Sequence, residues 1–251
     1  MASALGFLAL SLLAEIVGTV GGFGSSVYFV PIASLYFDFA SVLGITALFH
    51  LASNASKLGL FRHGIDLRLL LWMGVPSVLA AMLGGLASAW VEPARLQWVL
   101  AAFLLLPSAW MLLHPEWALT PSTRNAVAGG LASGGMAGLV GTGGAVRGMT
   151  LAAFDLPKQV FVATSAAIDM GIDLARSAVY LRNGYIHRHD LHWIPLLVGV
   201  ALLGTWLGRL LLRRMPQPWF RRIALGLVFA VGALTLVRAV GATMPASQMP
   251  L

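Results

Sequence analysis

Hydrophobic residues are gathered along the chain into eight segments separated by short polar stretches. A helix needs about 20 mostly apolar residues to cross the hydrocarbon core of a membrane, and most of the segments have about that length. The pattern predicts an all-α polytopic membrane protein, with one membrane domain over residues 1–251. The segments are Ser3–Phe37, Ser41–Leu60, Leu67–Trp90, Leu96–Leu113, Ala126–Phe154, Gln159–Leu181, Leu191–Leu212 and Phe220–Val237.

The second half of the chain repeats features of the first at an offset of 120 residues. The motif VGGFGSS of the first half corresponds to VGTGGAV in the second, and Gly84 corresponds to Gly204. These matches predict a duplicated protein with repeats over residues 1–120 and 121–251.

Polar residues recur at helical spacing along the second segment of each half. The first stripe consists of Thr46, His50, Asn54 and Lys57, and an offset of 119 residues converts it into Ser165, Asp169, Asp173 and Arg176. Ionisable residues inside a membrane are costly and commonly mark ion or substrate pathways. The alternative is that the stripes only join helices, or that opposite charges on neighbouring turns neutralise one another.

The first segment of each half is too long to cross the membrane once. Ser3–Phe37 would extend about 52 Å as one helix, whereas the hydrocarbon core is about 30 Å thick. Glycines interrupt both segments, in the second half within the stretch GLVGTGGAVRG at 138–148. An interior glycine costs a helix about 1 kcal/mol, and an arginine at mid-membrane costs about 2.5–3.5 kcal/mol. We therefore expect a glycine-broken, re-entrant helix at the start of each half.

Basic residues indicate which loops share a membrane face, because cytoplasmic loops are enriched in lysine and arginine. Arg62 and Arg68 follow the second segment, and Arg213 and Arg221 lie beside the loop that follows the seventh. These two loops share a face only if the fifth segment returns to the side it entered from. Each re-entrant helix is then followed by three transmembrane helices, so that the two repeats have inverted orientations.

Broken helices of inverted repeats expose backbone groups near mid-membrane, where transporters bind their substrates. Glycine lets backbone N–H groups turn toward a ligand, helix N-termini favour anions, and Arg147 adds a positive charge. The predicted substrate-binding residues are Gly22, Gly24, Ser25, Ser26, His50, Asn54, Lys57, Thr142, Gly143, Gly144, Arg147, Ser165, Asp169, Asp173 and Arg176. Close helix packing is instead expected of Gly130, Gly134, Gly138, Gly204 and Gly208.

Composition and charge agree with a membrane protein. Hydrophobic residues make up 59% of the chain and charged residues 10%, and the net charge of +7 is assigned to cytoplasmic loops rather than to nucleic-acid binding. The absence of cysteine excludes disulfides and thiolate metal sites. His187, His189 and His192 have a spacing that suggests a metal, but we interpret them as solvated loop residues, and we predict no metal or cofactor.

The duplication, VGGFGSSVYFVP at 20–31 and GGLASGGMAGLVGTGG at 129–144 together resemble the TauE/SafE sulfite-exporter family of permeases, related to 4-toluene sulfonate uptake permeases. The resemblance implies a secondary transporter in the inner membrane for sulfite or an organosulfonate such as sulfoacetate. Arg147 departs from the family's glycine pattern. It either tunes the choice of substrate or pairs with Asp169 or Asp173.

Two other functions compete with anion transport. A carrier of cations or other small ions could use Asp169 and Asp173 together with Glu15, since acids and bases balance in the predicted site. An intramembrane hydrolase could use a serine of GFGSS with His50 as its base, but the sequence has no firm nucleophile motif, and we predict no enzyme. In a transporter, His50 is a candidate to couple transport to protons, because imidazole titrates near neutral pH.

Overall fold

The structure of the protein is a computed structural model, and it describes residues 2–21, 24–61, 64–114, 119–214, 226, 229–230, 232–237 and 239–240. The described residues form helices and connecting turns, with no strand among them. The helices are α1 (Ala2–Gly21), α2 (Ser26–Ala33), α3 (Phe39–Leu60), α4 (Leu67–Leu69), α5 (Val75–Ser88), α6 (Pro93–Leu113), α7 (Thr123–Val140), α8 (Gly144–Ala152), α9 (Lys158–Arg182) and α10 (Trp193–Arg214). A π-helical turn, Leu70–Gly74, joins α4 to α5, and a 3-10 turn, Arg188–Asp190, precedes α10.

Five of these helical stretches are long and apolar enough to cross a membrane. They confirm an all-helical, multi-pass membrane protein. The helix α9 has sufficient length but carries several charged side chains, so its composition alone does not identify it as a span. Half of the eighth predicted segment, Phe220–Val237, lies outside the described residues, and the described half is helical. The five stretches are Ala4–Gly21, Phe39–Leu60, Leu67–Ser88, Pro93–Leu113 and Trp193–Arg214.

The opening segment of the first half forms two helices rather than one. The helix α1 ends at Gly21, Gly24 has a φ of 82°, and α2 begins at Ser26. After α2 the chain comes back to the beginning of α1, because the rings of Tyr36 and Phe37 both lie 5.2 Å from that of Phe7. Gly24 adopts a left-handed conformation that other residues rarely take, which gives this glycine a backbone role.

The opening segment of the second half has the same organisation. The helix α7 ends at Val140, Gly141 follows with a φ of 83°, and α8 begins at Gly144. The side chain of Thr150, in α8, lies against Gly129 in the first half of α7. The chain therefore runs back along α7 after the turn.

The helices α3 and α9, which carry the two polar stripes, lie side by side and antiparallel. At one end, the hydroxyl of Ser41 at the start of α3 lies 2.8 Å from Nδ1 of His187, just beyond α9. At the other end, the backbone N–H of Asp66, just beyond α3, donates to Oγ1 of Thr164 near the start of α9 at 2.9 Å. This pairing brings the two polar stripes face to face in the protein interior.

Glycines allow the other helices to approach closely. A Cβ added at Gly204 in α10 would lie 2.7 Å from Cβ of Glu15 in α1, and one at Gly208 would lie 2.7 Å from Cβ of Thr19. Along α7, Gly130, Gly134 and Gly138 lie against backbone carbonyls of Met73, Ser77 and Ala81. All five glycines assigned to packing are thus confirmed in that role.

The ends of α3 and α10 lie together. The guanidinium carbon of Arg209, near the end of α10, lies 5.9 Å above the ring centre of Phe61, which follows α3. Leu212 packs into the same cluster. The loop after α3 and the arginine-rich end of α10 therefore lie at one end of the helix bundle.

Candidate functional site

The two polar stripes meet directly at Asn54 and Asp173. The Nδ2 group of Asn54 donates to Oδ2 of Asp173 at 2.6 Å, and both residues are buried. Buried polar groups are stable only when they are paired, so this contact fixes how α3 and α9 are aligned. The contact also joins residues that are equivalent under the 119-residue offset.

On one side of this contact lies a fully buried carboxylate, Glu15 in α1. Its Oε1 forms an ion pair with Nζ of Lys57 at 2.8 Å, and its Oε2 accepts a hydrogen bond from Ser25 at 2.5 Å. Oε1 also accepts from Thr19, Ser53 and Thr205. Glu15 therefore joins α1, the turn before α2, α3 and α10 through one charged group.

Arg147 in α8 pairs with Asp169 in α9. Its Nη1 forms an ion pair with Oδ1 of Asp169, and its Nε donates to Oγ of Ser165 at 3.0 Å. Both partners also lie against Gly24: a Cβ there would be 2.8 Å from Nη2 of Arg147 and 3.4 Å from Oδ2 of Asp169. The structure resolves the two alternatives for pairing, because Arg147 contacts Asp169, whereas Asp173 pairs with Arg176.

Arg176 connects α9 to the turn after α7. Its Nε lies 2.8 Å from Oδ1 of Asp173, and its Nη1 donates to the carbonyl oxygens of Gly141 at 2.7 Å and Ala137 at 3.2 Å. Ala137 lies in the last turn of α7, where its carbonyl also accepts the backbone N–H of Gly141, and Gly141 is the residue that ends the helix. Arg176 therefore caps the end of α7 and holds the glycine-rich turn against α9.

The two glycine-rich turns touch each other. Oγ1 of Thr142 donates to Oγ of Ser26 at 3.1 Å, and both side chains are buried. Gly141 packs in the same place against Val30 and Leu43. The turn of the second half thus lies against the start of α2.

His50 occupies an aromatic pocket beside Ser25. Its Nε2 lies 3.4 Å from Oγ of Ser25, and its ring centre lies 5.2 Å from that of Phe49 and 6.2 Å from that of Phe29. Ser25 donates its hydroxyl proton to Glu15. The serine hydroxyl is therefore oriented toward the carboxylate. A hydrolase would require it to be oriented toward the imidazole, its base.

A small cavity of about 10 Å³ lies between the two halves. Its walls combine hydroxyl, amide and ammonium groups with a single carboxylate, that of Asp169. This volume holds about one water molecule, so this conformation has no room for a larger anion. The lining residues are Gly18, Thr19, Gly24, Asn54, Lys57, Val162, Ser165, Ala166 and Asp169.

The remaining predicted residues have different surroundings. A Cβ at Gly143 would clash with the carbonyl of Ser133, so this glycine allows the turn to fold back on α7. Gly144 begins α8, and Gly22 lies outside the described residues. Thr46, a member of the first stripe, donates to the carbonyl of Val42 in its own helix at 2.6 Å.

Sequence reasoning named Glu15 only for the alternative cation carrier, and it left Tyr180 out altogether. Tyr180 donates to the carbonyl of Gly138 at 2.5 Å, one helical turn beyond Arg176. The signal for Glu15 is present in the sequence: it is a lone acid in an otherwise apolar segment. The signal for Tyr180 is its position four residues after Arg176, on the same face of α9.

Charge in the site is balanced by pairs. Glu15, Asp169 and Asp173 each lie against one cation, namely Lys57, Arg147 and Arg176. Such pairing is what makes buried charge tolerable in a low-dielectric interior. The three pairs together therefore carry no net formal charge.

A multi-pass helical membrane protein with a buried, charge-balanced site between its halves has the architecture of a transporter. The family model described as sulfite exporter TauE/SafE matches residues 7–235. The chain belongs to this family, as its glycine-rich motifs predicted, and it is therefore a membrane transporter and not an enzyme. Membership implies transport of sulfite or related anions. No curated protein and no solved structure gives a significant match to the chain.

Proposed function

We propose that the protein is a secondary transporter for a small sulfur-containing anion, sulfite or an organosulfonate such as sulfoacetate, in the inner membrane. The observation that carries this proposal is the position of Arg147. Its guanidinium lies against the backbone of Gly24, beside a cavity lined by polar residues from both halves. A planar guanidinium binds oxyanions through two parallel hydrogen bonds, which suits sulfite and sulfonate groups.

The incoming anion replaces Asp169 as the partner of Arg147. Each cation of the site already has a carboxylate partner, so an added anion has to compete with one of these carboxylates for its cation. Asp169 lines the cavity, whereas Glu15 and Asp173 do not. Displacement of the Asp169 carboxylate would both free the guanidinium and enlarge the cavity.

A carrier of cations fits these contacts less well. Asp169 and Asp173 both lie against arginines, which would repel a cation approaching the same carboxylates. Lys57 lines the same cavity as Asp169, and its ammonium group would add to this repulsion. These surroundings favour an anion.

We also propose that the protein consists of two inverted repeats, 1–120 and 121–251, each opening with a re-entrant, glycine-broken helix. A two-fold axis between antiparallel α3 and α9 would bring equivalent residues into contact, and Asn54 and Asp173 are such a pair. It would also make other contacts occur twice. Gly204 lies against Glu15, and Gly84 lies against Gly135. Gly84 is equivalent to Gly204, and Glu15 is equivalent to Gly135, under the 120-residue offset, so the two contacts are copies of each other.

Coupling of transport to protons is assigned to His50. Its position beside Ser25 links it to the Glu15 ion pair. Protonation of the imidazole would add one positive charge to the site, which would compensate the negative charge of the bound substrate. His50 is equivalent to Asp169 under the 119-residue offset. The proton-binding group and the anion-exchanging group would thus occupy matching positions of the two halves.

Uptake into proteoliposomes tests the function. The purified protein is reconstituted, and accumulation of sulfite, sulfoacetate, sulfate and a divalent cation is compared with that in liposomes containing the Arg147→Gln variant. We expect uptake of sulfite or sulfoacetate that depends on Arg147. Uptake of the cation alone, or anion uptake that is equal in the Arg147→Gln variant, would contradict the proposal.

A further inference from the structure

The turn between α9 and α10 brings together three side chains that bind metals in many proteins. His187, His189 and Asp190 each offer one ligand atom, and these atoms lie within 4.8 Å of one another. The 3-10 turn Arg188–Asp190 produces this arrangement by bringing neighbouring residues onto one side of the chain. This group lies at the end of the bundle where α3 starts and is separate from the Arg147–Asp169 pair.

Asp190 is the buried member of the group. Its side chain is 7% exposed, and its Oδ2 has no hydrogen-bond partner. A buried carboxylate oxygen without a partner is costly, and buried polar groups in folded proteins are rarely left unsatisfied. Nδ1 of His187 lies 3.5 Å from this Oδ2, too far for a hydrogen bond of normal length. An ion bound at this position would supply the missing partner.

Each imidazole lies at a metal-site distance from a different oxygen of Asp190. In a tetrahedral zinc site with bonds of about 2.0–2.1 Å, the ligand atoms lie about 3.4 Å apart. Nε2 of His189 lies 3.4 Å from Oδ1 of Asp190, and Nδ1 of His187 lies 3.5 Å from Oδ2. The side chain of His189 is 75% exposed, so it is free to turn and bring all three atoms around one ion.

We propose that His187, His189 and Asp190 bind one divalent metal ion of the zinc type, with water completing the coordination. Imidazole nitrogens combined with a carboxylate favour zinc, nickel, copper or cobalt, whereas magnesium and calcium prefer oxygen ligands alone. This proposal replaces our interpretation of the histidines as solvated loop residues.

The bound ion would lie in a turn that packs against α3. Oγ of Ser41, at the start of α3, lies 2.8 Å from Nδ1 of His187, and coordination through that nitrogen would replace this hydrogen bond. The carbonyl of Tyr185 in the same turn packs directly against Gly44 in α3. Since α3 also carries His50, Asn54 and Lys57, the metal would lie at one end of the helix that forms half of the polar site.

Calorimetric titration with Zn²⁺ tests this site without measuring transport. The full-length protein is purified in detergent, its affinity tag is removed, and bound metal is stripped with a chelator. We expect one saturable site per chain that excess Mg²⁺ does not displace. His189→Ala and Asp190→Asn should weaken Zn²⁺ binding by at least about tenfold. Loss of a residue that only supports a metal ligand already costs about that much, and loss of a ligand itself should cost no less.

His114→Ala is the matched control, because His114 is an exposed histidine at the end of a different helix, α6. It should bind Zn²⁺ as the wild type does. The proposal is overturned if binding does not saturate, if His189→Ala binds Zn²⁺ with wild-type affinity, or if His114→Ala loses as much affinity as His189→Ala. Should Asp190→Asn fail to fold, the exposed His189 still decides the outcome. Failure here would leave the proposed anion transport unaffected, and the reverse also holds.

Discussion

Asn54 and Asp173 hold equivalent positions of the two halves and form a hydrogen bond of 2.6 Å with each other. One partner is neutral and the other is charged, so the contact is asymmetric although the positions match. Asp173 has Arg176 as a second partner, whereas the equivalent of Arg176, Lys57, pairs with Glu15. The polar helices of the two halves thus have equivalent positions in the fold, but their basic residues pair with acids at positions that are not equivalent.

Exchange of these two side chains tests the contact. Asn54→Asp should destabilise the protein strongly, because two carboxylates would face each other in the interior, where an uncompensated charge costs about 3–5 kcal/mol. Adding Asp173→Asn should restore much of the loss, since the pair regains one amide and one carboxylate. The measurement is the Tm and monodispersity of the purified variants in detergent. Asn125→Asp, a half-buried position at the start of α7, is the control. A double variant as unstable as Asn54→Asp would argue against the contact.

Arg147 and Asp169 should respond to mutation in opposite directions. Arg147→Gln removes the guanidinium, and loss of a charge-assisted hydrogen bond worth about 1.5–3 kcal/mol weakens sulfite binding by roughly tenfold to a hundredfold. Asp169→Asn removes the competing carboxylate, so sulfite should bind several-fold more tightly. The measurement is the Kd for sulfite, with Arg182→Gln at the exposed end of α9 as control. Weaker binding by Asp169→Asn together with unchanged binding by Arg147→Gln would reject the exchange of partners.

Much of this site could be predicted from spacing alone. The two stripes were visible because residues four apart share a helix face, and the 119-residue offset placed them in matching helices. The spacing could not decide whether Asp169 or Asp173 is the partner of Arg147. Both acids lie on one face of α9, and only the packing of α8 decides which of them the guanidinium reaches.

Glu15 shows why a repeat-based analysis is incomplete. The equivalent position in the second half is Gly135, so no matched pair draws attention to the acid. Its importance depends on contacts from three other helical regions, among them Ser25 and Thr205, which are distant in sequence. Tertiary contacts of this kind have no periodic signal in the chain.

His50 can be tested by separating proton coupling from exchange. Gln retains a polar side chain of similar reach but does not titrate, so His50→Gln should lose stimulation of transport by a pH gradient and retain exchange of labelled for unlabelled anion. Both rates are measured in proteoliposomes, with His114→Gln as control. If His50→Gln at wild-type expression keeps its gradient dependence, coupling must depend on another group.

Gly24 should not tolerate even a methyl group. Alanine would be strained at a φ of 82°, by about 1–2 kcal/mol, and its Cβ would lie 2.8 Å from Nη2 of Arg147. We expect Gly24→Ala to displace the guanidinium and weaken sulfite binding by about tenfold. Gly59→Ala is the control, because a Cβ there meets no atom within 4 Å. Equal affinity in Gly24→Ala and Gly59→Ala would show that the guanidinium does not need this close approach.

Single cysteines can test the inverted arrangement, since the chain has none of its own. The contact of Arg209 with Phe61 places the loop after α3 and the end of α10 at one end of the bundle, and the excess of arginine there predicts the cytoplasmic face. Ile65→Cys and Arg214→Cys should therefore react with a membrane-impermeant maleimide only in inverted vesicles. Arg182→Cys, at the exposed end of α9, should react only in intact cells whose outer membrane is permeabilised. Because α3 and α9 are antiparallel, labelling of positions 65 and 182 from the same side would contradict the proposal that both helices cross the membrane, and with it the inverted repeat.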